Sequence, residues 1–146
     1  MSAQPYIYHH RVTYSECTVG NHVYYARYLD ILEAARGEFL RSLGQPLLVW
    51  QERDTIFPVI ECHFRYQAPA RYDDVLAIEM RVTSLERVRV SIGHVIRHRD
   101  SGRELVTATT SHVCTSLQEK PKRIPEELVA AFQPYVAALG SSPRSD

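Results

Sequence analysis

Glu16, Thr18, Asn21 and His22 place a carboxylate, a hydroxyl, an amide and an imidazole within one short polar loop. Side chains of these types can orient a water molecule or take a proton from it. Gly20 interrupts the loop, and a segment with helical periodicity follows directly. The first N–H groups of such a helix have no partner within it, and they coincide with the positive end of its dipole. A polar loop leading into that end can receive an anion, or a carbonyl that is becoming one.

The helix that must position these groups is marked by Tyr28, Leu32, Ala35 and Phe39, with Leu29, Arg36, Leu40 and Leu43 on a neighbouring row. Asp30, Glu33, Gly37 and Arg41 leave only a narrow polar side, so the helix is expected to be covered on more than one side. Gly44 and Pro46 end it. Leu47–Arg53 reads as a short helical turn, with Trp50, the single tryptophan, as a packing residue.

Strands are expected on both sides of this helix. Tyr6, Tyr8, His10, Val12 and Tyr14 alternate with Ile7, His9, Arg11 and Thr13, which predicts a first strand over residues 6–14. His9 and His10 then point to opposite faces and are read as structural residues, not joint ligands of a metal. Further strands are predicted over 57–66, 75–85, 88–98 and 104–117. Residues 67–74 form a turn-rich connector, and Arg99-Asp100-Ser101-Gly102 a hairpin turn. Pro125 can open a terminal helix with Glu126 and Glu127 in its first turn. Four strands joined mainly by hairpins imply an antiparallel sheet, whose edges need covering or pairing; a dimer joined edge to edge would supply that.

The 146 residues suit one domain over 1–146, large enough to fold without disulfides or metals, with frayed ends at 1–5 and 140–146. Seventeen basic residues balance seventeen acidic ones, which argues against a nucleic-acid or anionic-membrane partner. Cys17, Cys62 and Cys114 are odd in number and widely spaced; reduced thiols and no metal site are expected. Met1–Pro5 has no export pattern and no apolar run could span a membrane, so a cytoplasmic protein is expected.

Three stretches carry a resemblance: Tyr14 through Arg36; Phe64 through Leu76, including Gln67-Ala68-Pro69-Ala70-Arg71-Tyr72-Asp73-Asp74; and Pro121-Lys122-Arg123-Ile124-Pro125. Together they resemble the hotdog-fold acyl-CoA thioesterases of the 4-hydroxybenzoyl-CoA thioesterase type, including the branch associated with the Tol-Pal system. The resemblance implies an α+β hotdog fold, in which a five-stranded antiparallel sheet wraps one long helix, with a short C-terminal helix. It implies hydrolysis of an acyl-CoA thioester in a homodimer or homotetramer, with coenzyme A as part of the substrate and no cofactor.

By the same resemblance, the N–H of Tyr25 polarises the thioester carbonyl. The family's usual Asp falls on Thr18, and an isolated hydroxyl is a weak base near neutral pH. Glu16 could supply the carboxylate, Thr18 could hold a water that His22 or a partner subunit deprotonates, or the chain could bind thioesters without cleaving them. Glu33 is read as an ion-pairing residue of the helix, although another branch of the fold uses a helical Glu as nucleophile. Arg87 and Lys122 best match the basic residues that meet the phosphates of coenzyme A. An enoyl-thioester hydratase would need a paired Asp and His that the loop does not offer.

Overall fold

The computed structural model describes residues 4–137; the ends expected to fray fall, at 1–3 and 140–146, outside them. Five strands form one antiparallel sheet: β1 (Tyr6–Arg11), β4 (Val59–Tyr66), β5 (Val75–Leu85), β6 (Arg89–His98) and β7 (Glu104–Val113). A two-stranded ribbon of β2 (Cys17–Thr18) and β3 (His22–Val23) leads into the long helix α1 (Arg27–Ser42). The short helices α2 (Leu47–Glu52) and α3 (Glu126–Phe132) follow α1 and β7 respectively.

The strand order is β1-β5-β6-β7-β4. The expectation of strands joined mainly by hairpins is therefore corrected at one join. β5–β6 and β6–β7 are hairpin pairs, but β4 lies at the opposite edge of the sheet from β1 and pairs only with β7. The chain between β4 and β5 crosses over instead of turning back. Its polar backbone groups are satisfied along the way: the Gln67 and Ala68 N–H groups donate to Leu105 O, and the carbonyl of the buried Ala70 accepts from Val23 N–H.

The first strand also ends earlier than its alternation predicts. β1 stops at Arg11, and Tyr14–Glu16 form a single 3-10 turn capped by Thr13. In this capping box Glu16 Oε1 accepts from the Thr13 N–H at 2.8 Å, an arrangement that competes with extension of the strand.

The sheet's inner face carries Leu76, Ile78, Met80 and Val82 of β5, Ile92 and Ile96 of β6, and Val106 and Ala108 of β7. Tyr28, Ile31, Leu32, Ala35 and Phe39 of α1 pack on it. Phe39 stacks on Tyr6 at 5.1 Å and meets Phe132 of α3 at 6.0 Å. Burial of side chains of this size stabilises the fold by about 1.5–3 kcal/mol each.

Coverage of α1 is narrower than its composition suggests. One face is buried, whereas Leu29 remains 48% exposed. Edge strand β4 is exposed at almost every position, including Val59 and Ile60. Trp50 is buried as expected, with the Arg53 guanidinium over its ring. The three cysteines are free thiols.

Candidate active site

The loop between β1 and α1 is held by three separate anchors. Glu16 Oε1 takes the Thr13 N–H and lies 2.9 Å from His10 Nε2, which extends the capping box back to the first strand. Its backbone carbonyl accepts from the Tyr24 N–H. Asn21 Oδ1 accepts the Tyr72 N–H at 3.0 Å and so fastens the ribbon to the crossover. Gly20 and Asn21 turn the chain at φ values of 88° and 61°, a conformation that glycine and asparagine adopt more readily than other residues.

This turn brings Thr18 and His22 directly opposite each other in the β2–β3 register. Side chains paired in this way lie on one face, roughly 5 Å apart at Cβ. Glu16 is one element earlier, and one of its two carboxylate oxygens is engaged in the capping box. The structure thus joins Thr18 with His22 and gives Glu16 a clamping role in the loop.

Tyr25 lies where the helical rotation begins. The N–H groups of Arg27, Tyr28 and Leu29 bond back to the carbonyls of Tyr24, Tyr25 and Ala26 in a tight first turn. Among the described residues, the N–H groups of Tyr25 and Ala26 have no backbone acceptor. Beside them is a recess of about 290 Å³, lined by His22, Tyr25, Tyr28, Tyr66 and Pro69. Tyr66 O–H donates to Tyr25 O at 3.4 Å, and its ring packs on those of Tyr25, Tyr28 and Phe64. Burial raises the pKa of the Tyr28 and Tyr66 hydroxyls, so both remain neutral donors at physiological pH.

The two basic residues matched to coenzyme A are differently placed. Arg87 lines an open cleft of about 580 Å³ together with Arg123 and Glu126. Lys122 is already used elsewhere: its Nζ donates to Asp54 O at 3.0 Å and to Thr55 Oγ1 at 3.2 Å. Arg123, which lies next to Lys122 in the basic run, is the residue of that run that shares the cleft with Arg87.

A second polar group lies beneath the middle of α1, where Arg36, His94, His112 and Thr110 come together. His94 is 1% exposed and neither ring nitrogen has a hydrogen-bond partner. Burial and then the Arg36 charge hold its pKa down at about 3; the Ala108 backbone, near the ring but outside good hydrogen-bond geometry, acts in the opposite direction. His112 is lowered to about 4 for the same two reasons. Its tautomer follows from its partners: the Phe57 carbonyl can only accept, so Nδ1 carries the proton and Nε2 accepts from Thr110. Sequence reading missed His94, although the alternation that turns Ile92 and Ile96 inward turns it inward too. Glu33 lies on the same side of α1, and its charge partly offsets the loss of basicity that burial imposes on Arg36.

Among the described residues there is no cluster of three or more potential metal ligands, and no helix is long and apolar enough to cross a membrane.

A thioesterase-like family model matches residues 12–132, and the chain belongs to this thioesterase-like superfamily. It is 34% identical over 126 residues to an acyl-CoA thioesterase, YbgC, of Haemophilus influenzae, covering 84% of this chain and 90% of the relative. A putative esterase of Aquifex aeolicus is 29% identical over 129 residues, covering 88% and 98% of the two chains. The crystal structure of a probable thioesterase from Bartonella henselae superposes with a TM-score of 0.78 at 29% identity, over 83% of this chain and 99% of that one.

Proposed function

We propose that this protein hydrolyses acyl-CoA thioesters to a free acid and coenzyme A. The carrying observation is the start of α1, where the Tyr25 and Ala26 N–H groups lack backbone acceptors beside a recess. A thioester carbonyl seated there gains most as its oxygen becomes an oxyanion, and one such donor lowers the barrier by about 3–4 kcal/mol.

Water attacks the carbonyl carbon, and the oxyanion rests on the Tyr25 N–H. Its collapse breaks the C–S bond, and the proton removed from the water ends on the departing sulfur. Thr18 positions the water and His22 receives its proton, a division that the cross-strand pairing of the two residues supports. Glu16 holds the loop in shape, a role supported by its bonds to Thr13 and His10. Arg87, with Arg123 in preference to Lys122, meets the phosphates of coenzyme A. No cofactor is required. The protein works in the cytoplasm as a homodimer or homotetramer; the exposed β4 edge supports pairing between copies.

Replacement of the family's carboxylate by Thr18 favours a second reading, a module that binds acyl-CoA without cleaving it. The thioesterase names of the relatives speak against it. Incubation with a panel of acyl-CoAs and a thiol-trapping dye decides between them. Release of free thiol well above the buffer rate is expected, and saturable binding without any release would overturn the enzymatic reading.

A further inference from the structure

A recess of about 290 Å³ opens beneath the middle of α1, lined by Glu33, Arg36, Leu40, Phe57, Ile92 and His112. Its walls are mostly apolar, yet a guanidinium enters it. The ion pairs within α1 are Arg27–Asp30 and Arg41–Glu38; Arg36 belongs to neither, and Glu33 acts on it only from a distance. Cys62 of β4 also acts on Arg36, and the two imidazoles beside it both stay neutral at physiological pH. His112 has both nitrogens engaged, with Thr110 and Phe57, so it offers Arg36 no acceptor. The site therefore holds a half-buried cation that, among the described residues, forms no ion pair; Glu33 lines the same recess but is exposed and does not close on the guanidinium, so the donor fork remains open to an arriving anion.

The recess is in line with the start of the helix. Leu29, Glu33, Arg36 and Leu40 recur at spacings of three and four and so share one flank of α1. Leu29 is exposed one turn above the recess, and Tyr66 and Phe64 of β4 continue from Tyr25 along the facing strand. The two recesses, at Tyr25 and at Arg36, thus lie along the same side of the helix start and middle. The helical rise sets Arg36 about 16 Å beyond Tyr25, and its side chain leans back towards the helix start, so an acyl chain of about six to ten carbons covers the span.

We propose that this recess receives the far end of the acyl group and that Arg36 selects acyl chains ending in a carboxylate. The inference deepens the thioesterase reading and rests on it. A carboxylate would bond the guanidinium through both oxygens while the methylene chain lies along the apolar walls.

The test uses non-hydrolysable coenzyme A thioethers in matched pairs, with S-alkyl chains of about six to ten carbons ending either in a methyl group or in a carboxylate. Their binding to the full chain is measured by calorimetry. At the best length the carboxylate member is expected to bind at least about tenfold more tightly. Arg36→Gln, with folding checked by circular dichroism, is expected to abolish the preference, and Arg36→Lys to retain part of it. Equal or tighter binding of the methyl series by the unmodified protein would overturn the proposal without recourse to any variant. So would an Arg36→Gln protein that weakens both series alike. If neither series binds, the acyl-CoA reading falls and this inference with it; if only the methyl series binds, the thioesterase reading stands and the carboxylate preference is refuted.

Discussion

Replacing His94 by leucine provides a quantitative test of the buried polar group beneath α1. The ring is 1% exposed and its nitrogens have no partners. Its pKa is about 3 in the folded chain, against 6.5 for an exposed histidine. The unfolded chain therefore binds the extra proton over the interval between these values, and stability rises with pH across it. The contribution is fully present above about pH 6.5 and is lost as pH falls towards 3. At pH 5 the loss from His94 alone is about 2 kcal/mol, and His112, lowered to about 4, adds a similar amount. Of a total stability of about 5–15 kcal/mol, that is a large fraction. Urea unfolding at pH 7.5 and pH 5 measures it. The unmodified protein is expected to lose about 4 kcal/mol between the two, and His94→Leu about 2. At pH 7.5 the variant should be at least as stable as its parent, because it removes two unpartnered polar atoms from the core. If the pH-dependence of His94→Leu is indistinguishable from that of the parent, His94 is not buried as a neutral ring and the reasoning fails.

The remaining predictions concern the loop and the clefts. Glu16→Gln keeps an oxygen that can accept from Thr13, so thermal unfolding should move little and turnover should stay within about threefold; Glu16→Ala should lose about 1 kcal/mol by the same assay. A large loss of turnover in a folded Glu16→Gln would restore that residue as the base. Thr18→Val and His22→Ala should each lower kcat by about a hundredfold, and the double variant by little more than either, if the two act on one water. Arg87→Ala should raise KM for acyl-CoA with kcat nearly unchanged and should reduce the salt-dependence of KM, as expected of a phosphate contact. Lys122→Ala should instead lower the unfolding temperature with little effect on KM, since its ammonium bonds Asp54 and Thr55.

Local rules account for much of what could be read before folding. The apolar stripe of Tyr28, Leu32, Ala35 and Phe39 set the buried face of α1 because helical spacing allows no other grouping. Alternation placed β5 at Val75–Leu85 with Leu76, Ile78, Met80 and Val82 inward, for the equivalent reason in strands. Free donors at the start of α1 were also legible, because helix starts leave them wherever they occur.

Long-range pairing decided the rest. The crossover between β4 and β5 is invisible in a turn-rich connector, whose residues suit a hairpin equally well; only the competition of β4 and β5 for partners separates them. Whether Glu16 is a free base or a clamp depends on His10, six residues earlier and on another element. Lys122, matched by resemblance to a phosphate contact, bonds Asp54 and Thr55, which are more than sixty residues away in the chain. The group under α1 draws Arg36, His94 and His112 from three elements. Spacing along a chain specifies what each segment can bury. Which polar side chains share a low-dielectric interior, and so which are neutral or unpaired there, is decided only when distant segments pack together.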